Sequence, residues 1–385
     1  MIISASRRTD IPKFYPEWFM NRIRAGYCTF PNPFNRKQIV EVSLRPEDVD
    51  VIVFWSKDPK PLIPYLDELD GMGLRYYFQF TVNGYPKLIE PGVPQLEEIL
   101  RTFEQLSERI SPERVIWRYD PVLWGNVDGQ ACHEVQDHGA CGQGARGHGA
   151  CDHGAFSYGV RGYGTCDHGV HDHGTPRHES PYYRSFHHGI RQYHERRFRE
   201  IAKALRGKTR RVVVSLVDDY HGAGVRLARL AKQGIYFEPC TPENPDVASL
   251  LSTMANVAED SGMEIVSCAE EYDLLPFGIK PGKCIDDEYI ERVFGIRVTN
   301  KKDPHQRAAC GCVQSKDIGV YGTCRHGCVY CYATGVDAFK GAAGASKAEG
   351  HDVNSPSLVG WYESSTLHPS LFQDEIPNHR PRGNS

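Results

Sequence analysis

Residues Tyr321 to Ala333 read YGTCRHGCVYCYA and set Cys324, Cys328 and Cys331 in a C-x3-C-x2-C spacing. Three thiolates this close in sequence can wrap one iron-sulfur cluster, and Gly327 between them lets the backbone turn without a Cβ clash. A 4Fe-4S cluster held this way has three irons ligated by protein, which leaves the fourth open to another ligand. Four further cysteines, Cys268, Cys284, Cys310 and Cys312, offer thiolates for a second iron-sulfur cluster or a tetrahedral zinc. The alternative is that they are small buried residues with no ligand role. The Cys310-Gly311-Cys312 word argues against it, since two thiols flanking a glycine can turn toward one centre.

These groups need a frame, and the sequence supplies one. Short runs rich in Val, Ile, Tyr and Phe alternate with helix-period segments, the pattern of βα units around a parallel sheet. The spacing predicts strands at Met1 to Ala5, Val51 to Trp55, Tyr76 to Thr81, Val115 to Tyr119, Val212 to Val217, Glu264 to Ser267 and Asp317 to Tyr321. Helical stripes fall on Leu96, Ile99, Leu100, Phe103, Leu106 and Ile110, and on Val247, Leu250, Leu251, Met254 and Val257. The fold expected is an α/β barrel of the TIM type, whose site lies at the carboxyl ends of the strands. The residues just beyond those ends are polar: Ser6 to Asp10, Ser56 to Asp58, Asn83, Asp120, Asp218 and Asp219, then Cys268, Glu270 and Glu271, then Cys324. Arg7, Arg8, Lys57 and Arg118 would gather there as a clamp for an anion, or pair with Asp10, Asp58 and Asp120. Gln79 and Glu270 are candidates for orienting a substrate or for supporting the fold.

The barrel is expected in two pieces, residues 1–128 and 189–340. Between them, 129–188 is a low-complexity insertion that repeats the words HGAC and CDHG and holds ten of the 17 histidines with Cys132, Cys141, Cys151 and Cys166. Such tracts can bind metal, but glycine at this density gives no scaffold for a ligand geometry, so a surface loop is expected. Residues 341–385, rich in Ser, Gly, Pro and His, are expected as a disordered tail.

A chain of 385 residues with 40% hydrophobic composition builds a sizeable core. Its formal charge of -4 advertises no global field for nucleic acid or acidic lipid. No apolar run approaches the roughly 20 residues of a membrane span, and MIISASRRTD lacks the core of a signal peptide. A cytoplasmic location follows as the expectation. In that reducing compartment 13 cysteines point to metal or redox chemistry rather than to disulfides.

The cysteine loop resembles that of the radical S-adenosylmethionine (SAM) superfamily, which has the same spacing and an aromatic residue, here Tyr330, before the third cysteine. The resemblance implies a 4Fe-4S cluster on Cys324, Cys328 and Cys331, SAM on the open iron, and Tyr330 beside the adenine. It also implies a low-potential electron donor such as ferredoxin or flavodoxin, and chemistry by a 5'-deoxyadenosyl radical. That superfamily carries the loop after its first strand, whereas here it follows the last, so a circularly permuted barrel is expected. More of the chain is similar to a narrower family, domain of unknown function 1848, through SASRRTDIP, NPFN, VFWSKDP, YYFQFT, VIWRYDP, SCAEE and CGCVQSKDIGVYGTCRHGCVYCYA. This likeness brings no reaction or substrate with it. Two other readings stand beside the radical enzyme: a zinc-stabilised barrel or binding module, in which Cys310 or Cys312 completes a site with the loop cysteines, and an iron-sulfur electron carrier that never cleaves SAM.

Overall fold

The computed structural model describes residues 1–31, 38–127, 189–217, 221–231, 235–333 and 350–363, with 126–127 and 221–225 described by backbone alone. The expected insertion at 129–188, the NPFN word, Asp218 and Asp219 lie outside these residues.

The chain opens with β1 (Ile2–Ala5), α1 (Ile11–Phe14), α2 (Pro16–Ala25) and a hairpin of β2 (Tyr27–Pro31) and β3 (Ile39–Ser43). Next come β4 (Val51–Ser56), α3 (Leu66–Gly71), β5 (Tyr76–Thr81), α4 (Leu96–Ile110), β6 (Val115–Val122) and β7 (Gly125–Val127). The second part holds α5 (Ile190–Leu205), β8 (Arg211–Leu216), α6 (His221–Ala231), β9 (Ile235–Phe237) and α7 (Pro245–Asp260). It ends with β10 (Glu264–Cys268), β11 (Lys280–Gly282), α8 (Asp287–Phe294) and β12 (Lys316–Asp317).

Eight strands form one sheet in the order β11-β10-β8-β6-β5-β4-β1-β12. Every registered pair in it is parallel, so all carboxyl ends share one side. The order follows the chain except that β12, last in sequence, lies beside β1. The fold is thus mixed α/β on a mostly parallel sheet; among the described residues no pairing joins the edge strands β11 and β12. β12 is shorter than the expected Asp317 to Tyr321 because the Asp317 side chain accepts from the Gly319 N–H at 3.0 Å and turns the backbone away.

The central strands are apolar runs because both faces are covered. Ile52, Phe54, Phe78, Phe80, Trp117 and Val214 face a large core shared with α2, α4, α5 and α7. Their neighbours Val51, Val53, Tyr77, Ile116 and Val213 face a smaller core. That second face is filled by the segment after β11, with Ile285, Tyr289, Ile290, Cys310, Cys312 and Val313. The cysteine-bearing stretch is therefore part of the packing. α7 begins at Asn244, whose side chain accepts from the Asp246 N–H, and it buries Val247, Leu250, Leu251 and Met254 as the stripe predicts.

The expectation of a structureless tail does not hold for 350–363. Trp18 Nε1 donates to the Ser355 carbonyl at 3.0 Å, Arg22 Nη2 to the Asn354 carbonyl at 3.0 Å, and the Thr29 N–H to the Pro356 carbonyl at 2.9 Å. Ser355, Ser357 and Leu358 are buried against α2 and β2. Their polar groups are satisfied within the contact, which is why a Ser- and Gly-rich composition did not signal it. Among the described residues no helix is long and apolar enough to cross a membrane.

His194 of α5 is buried between Tyr119 and the chain after β6. Its Nε2 donates to the Leu123 carbonyl and its Nδ1 accepts from Tyr119 Oη, both at 2.7 Å, which fixes a neutral ring. Burial lowers its pKa from 6.5 to about 4. The unfolded chain takes up the proton first, so this contribution is full above about pH 6.5 and is lost as the pH falls toward 4. Urea unfolding should show wild type losing up to about 3 kcal/mol over that window, and His194→Gln, less stable at pH 7.5, should show a flatter profile. An equal pH slope in the two proteins would contradict the assignment.

Candidate functional site

A cavity of about 480 Å³ opens at the carboxyl ends of the strands. Its walls carry Arg7 and Arg8 after β1, Lys57 after β4, Asp120 in β6, Ser215 in β8, Cys268 in β10 and Asp317 in β12. Cys324, Cys328 and Cys331 line it, and so do Cys268, Cys284, Cys310 and Cys312. The structure thus brings both sequence-predicted cysteine sets to one space. Gly327, with φ +67°, and Gly322, with φ +80°, supply the left-handed turns that bend the first set's loop.

That loop is seated by bonds from distant segments. Asp10 is buried, and its carboxylate accepts from Lys13 N at 2.9 Å, Ser56 Oγ at 2.8 Å, Lys57 N at 2.8 Å and His326 Nε2 at 2.8 Å. His326 lies between Cys324 and Cys328, and its Nδ1 faces the Gly92 carbonyl at 3.2 Å. Gly92 N donates back to the His326 carbonyl at 2.8 Å, and a Cβ at Gly92 would stand 2.7 Å from that same oxygen. Tyr15 Oη donates to the Thr323 carbonyl at 2.6 Å. Arg226 of α6 donates to the carbonyls of Val329 and Cys331.

Burial shifts the ionisation of two of the loop thiols. It pushes Cys324 up to about 12 and Cys328 well above the usual thiol range, while Lys57 pulls Cys328 back. Burial also works against the charge of Lys57, but Glu90 and Cys328 outweigh it and hold that ammonium above its ordinary value. Glu90 accepts from Lys57 Nζ at 2.8 Å, Asn83 Nδ2 at 3.2 Å and Tyr330 Oη. Tyr330 is therefore fixed by its hydroxyl, with Lys57 over its ring at 5.6 Å and Tyr85 against its edge.

The second set is a knot of sulfurs. Cys284 Sγ stands 2.7 Å from Cys268 Sγ, and Cys312 Sγ accepts from the Ile285 N–H at 3.4 Å. The Cys312 sulfur is also in hydrogen-bond contact with Cys268, Cys284 and Cys310, which pulls its pKa far down. The reciprocal contact pushes Cys310 up, and burial does the same for Cys284. For Cys268 the bond with Cys284 pulls down, but contact with Cys312 and burial outweigh it and leave the thiol at about 12. Arg118 Nη1 donates to Cys284 Sγ. Among the described residues no three His, Cys, Asp or Glu side chains stand in ready metal-ligand geometry. The knot is collapsed sulfur on sulfur.

The remaining candidates divide. Arg7 and Arg118 flank the Trp55 ring at 5.3 and 5.1 Å, and Arg7 Nη2 is buried without a hydrogen-bond partner. Arg8 lies over Tyr321 at 5.2 Å and reaches the Gly319 carbonyl at 3.4 Å. Asp120 is held by Arg118 and Ser215; burial alone would raise its pKa, and these partners keep it below the usual carboxylate range. Glu270 accepts from the Leu216 N–H at 2.9 Å and ties β10 to β8. Gln79 donates to the Cys284 carbonyl at 2.7 Å and so supports the knot. The sequence offered no sign of the roles of Glu90 and Arg226, which are set by contacts far apart in the chain. His326 sits inside the cysteine word, and its position there was the one available signal.

A family model described as "Domain of unknown function (DUF1848)" matches residues 2–140 and 186–333. No curated protein and no solved structure matches the chain.

Asp10→Ala removes the acceptor of all these bonds and strands Ser56 Oγ, Lys57 N and His326 Nε2 in the interior. A loss of about 2–4 kcal/mol in urea unfolding is expected, with Asp10→Asn milder because one acceptor oxygen remains. An Asp10→Ala variant as stable as wild type would show that the carboxylate does not hold these loops.

Proposed function

We propose that this chain, which belongs to the DUF1848 family, is a radical SAM iron-sulfur enzyme acting on a small substrate in the cavity at the strand ends. The observation that carries the reading is the convergence of Cys324, Cys328 and Cys331 with Arg7, Lys57 and Tyr330 on one space of about 480 Å³. That volume falls within the range of small-molecule sites. An electron carrier needs no such space beside its cluster, and this favours an enzyme over the electron-transfer reading.

The donor set suits the cluster. Cys324, Cys328 and Cys331 act on one another electrostatically across the cavity wall, and all three are soft ligands. Cys324, Cys328 and Cys331 would hold a 4Fe-4S cluster, and the chemistry it would supply is one-electron reduction of SAM to give a 5'-deoxyadenosyl radical. The chain's own residues do the positioning. Asp10, through His326, and Arg226, through the carbonyls of Val329 and Cys331, fix the loop that presents the sulfurs. The unpartnered Nη2 of Arg7 is suited to the SAM carboxylate or to an anionic group of the substrate. Tyr330, held by Glu90 and lining the cavity, is the residue that would lie beside the adenine. Glu90 and Cys328 are buried and Lys57 is nearly so, which would limit water beside the loop sulfurs.

We further read the sheet as part of a circularly permuted barrel. β12, which leads into the cysteine loop, lies beside β1 and takes the place of a first strand. Electron supply by a low-potential donor such as ferredoxin or flavodoxin, in the cytoplasm, completes the proposal. The formal charge of -4 favours a small-molecule substrate over nucleic acid.

Anaerobic reconstitution with iron and sulfide, followed by dithionite and SAM, should release 5'-deoxyadenosine and methionine. Cys328→Ala should reduce the yield at least 100-fold. Full iron loading of wild type with no 5'-deoxyadenosine would remove the proposal.

A further inference from the structure

We propose that Cys268, Cys284, Cys310 and Cys312 form a tetrahedral site for a single zinc ion in the wall of the same cavity. The site is separate from the cluster proposed for the cysteine loop and does not depend on it.

The four residues come from three places: the end of β10, the turn after β11, and the segment that leads to β12. Side chains and backbone from other elements hold the backbone at two of them. The Cys284 carbonyl is held by Tyr77 Oη at 2.9 Å and Gln79 Nε2 at 2.7 Å. The Cys312 carbonyl accepts from the Asp303 N–H at 2.9 Å, and the Val313 N–H bonds the Ile285 carbonyl at 3.1 Å. Three buried thiols and the half-buried Cys268, with Cys312 in contact with the other three and Cys284 2.7 Å from Cys268, make a poor resting arrangement for a core.

Size decides which metal group they suit. Zinc-sulfur bonds of about 2.3 Å set tetrahedral sulfurs about 3.8 Å apart. Cys268 and Cys284, now 2.7 Å apart, would separate by about 1 Å to reach that shell, a movement within side-chain reach. A four-iron cluster is far bulkier and sets its cysteine sulfurs much further apart than thiols in contact. Charge agrees with zinc as well. Four thiolates on a dication leave two negative charges, and two guanidiniums face them: Arg118 donates to Cys284 Sγ, and Arg7 acts on Cys312. The Ile285 N–H on Cys312 Sγ is the kind of backbone donor that a metal thiolate accepts. Such an ion would tie β10 and β11 to the segment leading into β12, and through it to the cysteine loop.

The test uses the full chain expressed aerobically with zinc and measures zinc per chain after gel filtration. Cys268→Ser and Cys312→Ser should each lower the content by one zinc. A variant with serine at Cys324, Cys328 and Cys331 should keep it, so failure of the radical reading would leave this result intact. Because the insertion holds other cysteines and histidines, the difference between variants is read rather than the total. Differential alkylation of wild type, mapped on peptides, covers the case in which the serine variants misfold. Cys268, Cys284, Cys310 and Cys312 should be protected with zinc and labelled after chelation. Equal zinc in all variants, protection that chelation leaves unchanged, a Cys268–Cys284 disulfide in metal-free folded protein, or iron with sulfide retained on these four residues would each overturn the proposal.

Discussion

One buried carboxylate couples the parts of this site. An ionised carboxylate offers about four lone-pair positions, and Asp10 fills them with Lys13 N, Ser56 Oγ, Lys57 N and His326 Nε2. A charge placed there without those partners would cost several kcal/mol. The exit of β1, the start of α1, the exit of β4 and the cysteine loop must therefore assemble together. This is how the loop that carries His326, 316 residues from Asp10 in sequence, comes to be fixed against the first strand. Asp317 repeats the device one strand over: its carboxylate takes Ser4 Oγ, Ser6 Oγ and Arg7 N and locks β12 to β1.

Around that frame the cavity balances sulfur against cation. Burial favours the neutral thiol at Cys324, Cys328 and Cys284. Lys57 near Cys328, and Arg118 against Cys284, favour the thiolate. In the proposed reading, a metal bound here would displace the protons of the neutral thiols and offset the cost of the buried charge. The Trp55 ring also holds both guanidiniums, of Arg7 and of Arg118. The cations are thus placed by packing as well as by pairing.

Much of the frame was legible in the sequence, for a physical reason. Parallel strands covered on both faces must be apolar along their whole length, so VIVFWS, YYFQFT and RVVVSL stand out. β11 did not stand out, because KPG has no apolar pattern and is a strand only through its pairing with β10. The docking of 350–363 was hidden in the same way, since it rests on backbone carbonyls that accept from Trp18 and Arg22. At the site the cysteine spacing marked where the sulfurs gather. The pairing of Asp120 with Arg118 and a supporting role for Glu270 were among the alternatives the sequence offered; that Glu90 fixes both Lys57 and Tyr330 was not. That role depends on which strand ends meet, and this is decided by topology.

The central claim is that three sulfurs hold a cluster with one iron accessible to SAM. Electron paramagnetic resonance of the reconstituted, dithionite-reduced protein, recorded with and without SAM, tests it most directly. The account predicts a reduced 4Fe-4S signal whose g values shift when SAM is added, with neither signal nor shift in Cys328→Ala. A strong cluster signal that is indifferent to SAM would contradict it.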